Sequence, residues 1–150
     1  LCLWHNGDTI KGSVFDQKMK QRLSAIVYYE LPALVWMGII FYLSAQPGLT
    51  LVKESTDVDA IVRKFGHLFE FCFLAFLFYR IAIYRCGLSA TKAVVAGAVL
   101  SLAYAVSDEY HQTFVFIREG KLRDWSYDAS GVIIFLLFFY LIKELKVSHT

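Results

Sequence analysis

SAIVYYELPALVWMGIIFYLS, Ser24 to Ser44, carries a single charged side chain, Glu30, in its whole length. A helix rises 1.5 Å per residue, so a run this long crosses a hydrocarbon core of about 30 Å. Pro32 lies inside the run and is expected to kink it. Lys20 and Arg22 could serve as the basic flank of a signal peptide. The apolar stretch exceeds the roughly 7–15 residues of such a segment, however, and Ser-Ala-Gln is a poor cleavage site. The run therefore reads as a membrane span.

Three further runs follow. The second is GHLFEFCFLAFLFYRIAIY, Gly66 to Tyr84; the third starts near Ala90 and passes through KAVVAGAVLSLAYAVSDEYHQ. The fourth, DASGVIIFLLFFYLIKEL, begins near Trp125 or Asp128. Composition agrees with this reading. The chain is 57% hydrophobic and 19% charged, whereas a soluble domain is roughly 45–50% apolar and about a quarter charged. The expected fold is all-α, an integral membrane bundle of about four transmembrane helices. Residues 1–18 are expected to be an N-terminal extension or a short cytoplasmic tail, because Met19 followed by Lys20, Gln21 and Arg22 resembles a natural start; residues 19–150 form the membrane domain.

A net charge of +2 and the lack of a basic stripe with interleaved aromatics argue against a nucleic-acid partner. Cys2, Cys72 and Cys86 fit neither a zinc pattern nor a disulfide framework. Lysine and arginine asymmetry gives the orientation. With the N-terminus inside, Lys11, Lys18, Lys20, Arg22, Arg80, Arg85, Lys92, Lys143 and Lys146 are cytoplasmic, and Lys53, Arg63, Lys64, Arg118, Lys121 and Arg123 lie outside. Both termini are thus expected in the cytoplasm.

The polar residues gather at particular span ends. Ser44 and Gln46 close the first span; Lys64, His67 and Glu70 open the second. Asp108, Glu109, His111 and Gln112 close the third, Arg118 and Asp124 follow, and Asp128 opens the fourth. In four antiparallel helices those ends share one membrane face, the outer one in this orientation. Ionisable groups next to lipid usually face a bundle interior or a wet cavity. His67 and Glu70 are three apart and share a helix face, as do Asp108, His111 and Gln112.

Four readings of this cluster are open. It could be a network that fastens helix ends, with Arg118, Lys64 and Arg123 neutralising the acids. It could bind a lipid headgroup or a drug through Arg118 and Lys64. It could be an enzyme, with a carboxylate or His67 as general base and Arg118 stabilising negative charge. It could be a proton or ion path. His67, Glu70, Asp108, Glu109 and His111 are ligand types that suit zinc or manganese, but their spacing matches no known ligand signature, so no metal site and no cofactor is assigned. Ser44 is the hydroxyl at the cluster, and a capping or network role suits it best.

These residues resemble those of the VanZ-like membrane proteins. FYLSAQPG, Phe41 to Gly48, looks like that family's motif at the end of its first helix. RKFGHLFEF, Arg63 to Phe71, is similar to its Lys-x-x-His-x-x-Glu-Phe element. SDEYHQTFVFIREGKLRDWSYDASG, Ser107 to Gly131, places Asp108, Glu109, Gln112, Phe114, Arg118, Asp124, Asp128 and Gly131 in the order of its most specific pattern. Phe116 and Ile117 stand where the family often has Pro-Gly. The resemblance covers about Met19 to Leu145. It implies a multi-span bacterial membrane protein and, through the founding member, a link to teicoplanin resistance. It supplies no reaction. The expectation is a bacterial cell-membrane protein whose outer-face polar pocket binds an envelope lipid or a glycopeptide antibiotic; an enzyme acting on a lipid headgroup is the alternative.

Overall fold

The computed structural model describes residues 6–46, 56–114 and 122–147. Helix α1, Asn6–Ala25, passes into a π-helical turn, Ile26–Glu30, and then into α2, Leu31–Ser44. Helices α3, Thr56–Tyr84, α4, Ala90–Gln112, and α5, Leu122–Val147, complete the order. Four segments are long and apolar enough to cross a membrane: Phe15–Ser44, Lys64–Tyr84, Ala90–Gln112 and Trp125–Leu145.

The irregularity expected at Pro32 is a widened turn just ahead of it. The Leu31 N–H bonds back to Ile26 O, five residues earlier, and Pro32 falls in the first turn of α2. There its missing N–H costs little, and the wider turn makes room for the ring against the preceding carbonyls. Two helices begin earlier than their apolar runs. Helix α3 starts at Thr56 rather than Gly66, and α5 starts at Leu122, ahead of Trp125 and Asp128. Asp124 and Asp128 are therefore one turn apart on a single helix. Helix α1 continues through residue 18 without a break.

Helices α3 and α4 form a hairpin. The chain reverses at Gly87, whose φ of 64° lies in the left-handed region that a side chain disfavours. The Leu88 N–H closes the turn on Ala82 O at 3.0 Å. So short a reversal forces the two helices antiparallel, which places the start of α3 and the end of α4 at one face.

Helix α3 is the centre of the bundle, packing on α4, α5 and α2; α4 also touches α5, while α2 packs on α3 and α4 and, among the described residues, not on α5. Close approach depends on small residues, as expected where lipid removes the hydrophobic drive between helices. A Cβ on Gly97 would lie 2.6 Å from Ala75 O, and one on Gly131 would collide with Leu68 O. The Ser101 hydroxyl donates to Phe71 O at 3.0 Å across the same α3–α4 seam. Phe71, Leu74, Ala98, Ala105, Val132 and Ile40 fill the core. Val95, Val99, Leu137 and Phe138 point outward, toward lipid in a membrane.

Candidate functional site

The buried face of α4 carries Ala93, Gly97, Ser101, Ala105, Asp108 and Gln112. Steps of three and four residues keep them on one ridge. The small members let the helices touch, and the ridge ends in an acid and an amide. Asp108 is buried, and its Oδ2 accepts two bonds: Ser44 Oγ at 2.7 Å and Gln112 Nε2 at 2.8 Å. Ser44 comes from the last turn of α2, so this group ties α2 to α4.

A second group lies between α3 and α5. Asp128 is fully buried, one turn before Gly131 and Val132 on the packing face of α5. Its Oδ1 lies 2.9 Å from His67 Nδ1, and the imidazole side chain is 18% exposed. A carboxylate only accepts, so the bond places a ring proton on Nδ1 and leaves Nε2 as the ring's other nitrogen. Besides Asp128, the charges of Glu70 and Asp108 act on this ring. The two groups are therefore electrostatic neighbours at the same end of the bundle.

The remaining residues singled out in the sequence are placed as follows. The Glu70 carbonyl accepts Trp36 Nε1 at 3.0 Å, and its side chain is half-buried, as is that of Glu109. Gln46 turns back on its own helix end, with Nε2 3.5 Å from Tyr42 O. Lys64 is exposed, its ammonium 5.4 Å from the centre of the Tyr127 ring. Arg118 lies outside the described residues. Asp124 is part of α5, but its side chain is outside them too. Among the described residues, no three His, Cys, Asp or Glu side chains come together in a way that could hold a metal ion.

Four contacts were not anticipated from the sequence. His111 stacks on Phe41 of α2, ring centres 4.1 Å apart. The Tyr104 hydroxyl donates to Met37 O at 2.7 Å. At the opposite end, Arg85 Nε donates to Glu30 Oε1 at 2.8 Å, and Arg80 lies over the Tyr29 ring. A lone acid in the first apolar run, Glu30, was the available signal for the Arg85–Glu30 pairing.

Residues 29–143 match the family model described as VanZ/LLP1. The chain belongs to the VanZ/LLP1 family. The matched stretch holds all the polar groups just described. The chain is also 30% identical, over 113 residues, to the uncharacterised membrane protein YwnJ of Bacillus subtilis (strain 168), covering 72% of this chain and 74% of that protein. No solved structure matches the chain significantly. Four spans and a membrane-protein relative make this VanZ/LLP1 member a multi-pass membrane protein.

Proposed function

We propose that this bacterial VanZ/LLP1 protein holds the polar headgroup of an envelope lipid, or a glycopeptide antibiotic, in the polar end of its bundle. What carries the reading is the pair of buried carboxylates, Asp108 and Asp128, on two packed helices. Apolar residues of equal size would fasten helix ends at least as well, because burying charge is costly and isolated polar networks give little net stability. In this reading the cluster faces outward, with both termini in the cytoplasm, and teicoplanin resistance is its cellular consequence.

Two measurements test this. Mass spectrometry of the protein released gently from bacterial membranes should find an envelope lipid retained in stoichiometric amount. Cells expressing the protein should tolerate more teicoplanin than cells expressing Asp108→Asn. A protein that emerges with no specific lipid, in cells whose susceptibility is unchanged, contradicts the reading.

One observation favours a second reading, an enzyme acting on a lipid headgroup. A buried aspartate that fixes a histidine through Nδ1 is the arrangement of a general base. His67 Nε2 would take a proton from a water whose oxygen attacks the headgroup phosphorus; the P–O bond to the alcohol would break, and the imidazolium would return the proton to the leaving oxygen. Headgroup release from vesicles, abolished in His67→Gln, would support it. No release by the wild type would dismiss it.

A further inference from the structure

The seam between α2 and α4 contains two buried atoms that no hydrogen bond satisfies among the described residues, Asp108 Oδ1 and His111 Nδ1. They belong to residues three apart on one face of α4. Both side chains turn toward α2, Asp108 bonding Ser44 and His111 stacking on Phe41. Asp108 is 2% exposed. A carboxylate oxygen accepts only, and the Nδ1 of a neutral imidazole accepts when the proton sits on Nε2. A ligand that satisfies both atoms thus donates two hydrogens, and beside a buried carboxylate a cationic N–H donor makes the stronger, charge-assisted bond. The described charges nearby are of one sign: Glu109 is the next residue, while Lys64 is exposed against Tyr127 and the His67 ring is already bonded to Asp128.

The same end of α2 and α4 also carries exposed aromatic rings. Phe41, Tyr110 and Phe114 are all largely exposed, and Tyr110 meets Phe114 edge-on at 5.1 Å. Aromatic rings at this level are typical of the membrane–water interface. A group that presents N–H donors inward therefore has acyl-chain and interfacial surroundings outside.

We propose that the α2–α4 seam, at Asp108 and His111, binds an ammonium group, with the ammonium of a zwitterionic envelope lipid as its natural source. This deepens the headgroup reading and rests on it, but it names a cationic contact. The ammonium donates to Asp108 Oδ1 and His111 Nδ1, while Ser44 and Gln112 hold the carboxylate in place through Oδ2.

The test uses the full-length protein in nanodiscs of equal phosphatidylethanolamine and phosphatidylglycerol. After transfer to detergent, the retained lipid is measured for wild type, Asp108→Asn and His111→Phe. Soluble glycerophosphoethanolamine and glycerophosphoglycerol are then tested for thermal protection. Wild type should retain phosphatidylethanolamine over phosphatidylglycerol, and Asp108→Asn should lower that preference about tenfold, the loss expected when one charge-assisted hydrogen bond is weakened. His111→Phe keeps the stack on Phe41 and should lower it less. Protection by glycerophosphoethanolamine without lipid selectivity supports the ammonium contact and assigns it to a soluble amine, which fails the lipid reading alone. Enrichment of phosphatidylglycerol overturns the ammonium proposal and leaves the headgroup reading standing. Retained lipid that mirrors the bulk, with no protection by either soluble compound, overturns both. If Asp108→Asn does not fold, the wild-type selectivity still decides.

Discussion

The hairpin α3–α4 with α5 and the first span, α1 to α2, are held by different physics. Helices α3, α4 and α5 touch backbone to backbone at Gly97 and Gly131, where a side chain has no room. Gly38, on α2, has nothing within 4 Å of where its Cβ would be. Only 11% of the first span's apolar window is buried, against 28% of each of the next two. Besides Ala33 and Ile40, which are buried against the frame, what ties the first span is a short series of polar and aromatic contacts: Glu30 to Arg85, Trp36 to Glu70 O, Tyr104 to Met37 O, Phe41 on His111, and Ser44 to Asp108. Close packing makes a rigid frame, and discrete bonds hang a separable helix on it. The polar residues of the site lie along both kinds of seam: His67 and Asp128 inside the frame, Ser44 and Asp108 where the hung helix closes on it.

Glycine substitutions should break this contrast most sharply. Gly131→Leu and Gly97→Leu should each cost about 3 kcal/mol, the upper range of overpacking, because a backbone carbonyl cannot step aside. Gly38→Leu should be close to neutral. Melting temperatures in one detergent check all three; equal losses at Gly38 and Gly131 would erase the distinction between the regions.

The next effect is at the acid inside the frame. Asp128→Ala leaves His67 buried without its acceptor and should cost about 1–3 kcal/mol, the penalty for stranding a buried polar group. His67→Phe combined with Asp128→Leu should recover much of that, since an apolar pair needs no partner. A double variant no better than the single would show that the pair does more than satisfy itself.

Smaller losses belong to the hung helix. Ser44→Ala and Tyr104→Phe each remove one hydrogen bond, about 1 kcal/mol. Hydrogen exchange should rise in α2 and stay unchanged in α5. Exchange that rises equally in both would mean that the first span is part of the frame. The smallest effect is at the opposite end. Glu30 and Arg85 are about a third exposed, so Arg85→Ala should cost well under 1 kcal/mol after solvent screening.

The sequence made the spans legible because length and apolarity are local properties. Four runs are enough to show the bundle and, by alternation, which span ends meet. The starts of α3 and α5 were not legible, since Thr56 and Leu122 lie in polar turns that extend past the apolar run. Nor was the choice of partners. His67 could have faced Asp108 as readily as Asp128; the outcome depends on which face α5 presents to α3, and that is fixed by Gly131 fitting against Leu68. The spacing of Ala93, Gly97, Ser101 and Ala105 by fours was a readable sign of the α3–α4 seam. It also pointed along the helix to Asp108, three residues further. Arg118 and the side chain of Asp124 fall outside the described residues, so the alternative roles of Arg118, neutralising the acids, binding a headgroup or stabilising negative charge, stand as sequence readings.

Whether the polar end is a binding site or a fastening is decided by one measurement: envelope lipid retained by the Asp108→Asn, Asp128→Asn double variant, compared with wild type under detergent conditions in which both remain folded. Asparagine keeps the shape and much of the hydrogen bonding while removing the charge. A binding site predicts that the wild type retains a specific lipid and that the folded double variant has lost it. Equal retention by the two proteins would contradict the account and leave the buried acids as helix fasteners.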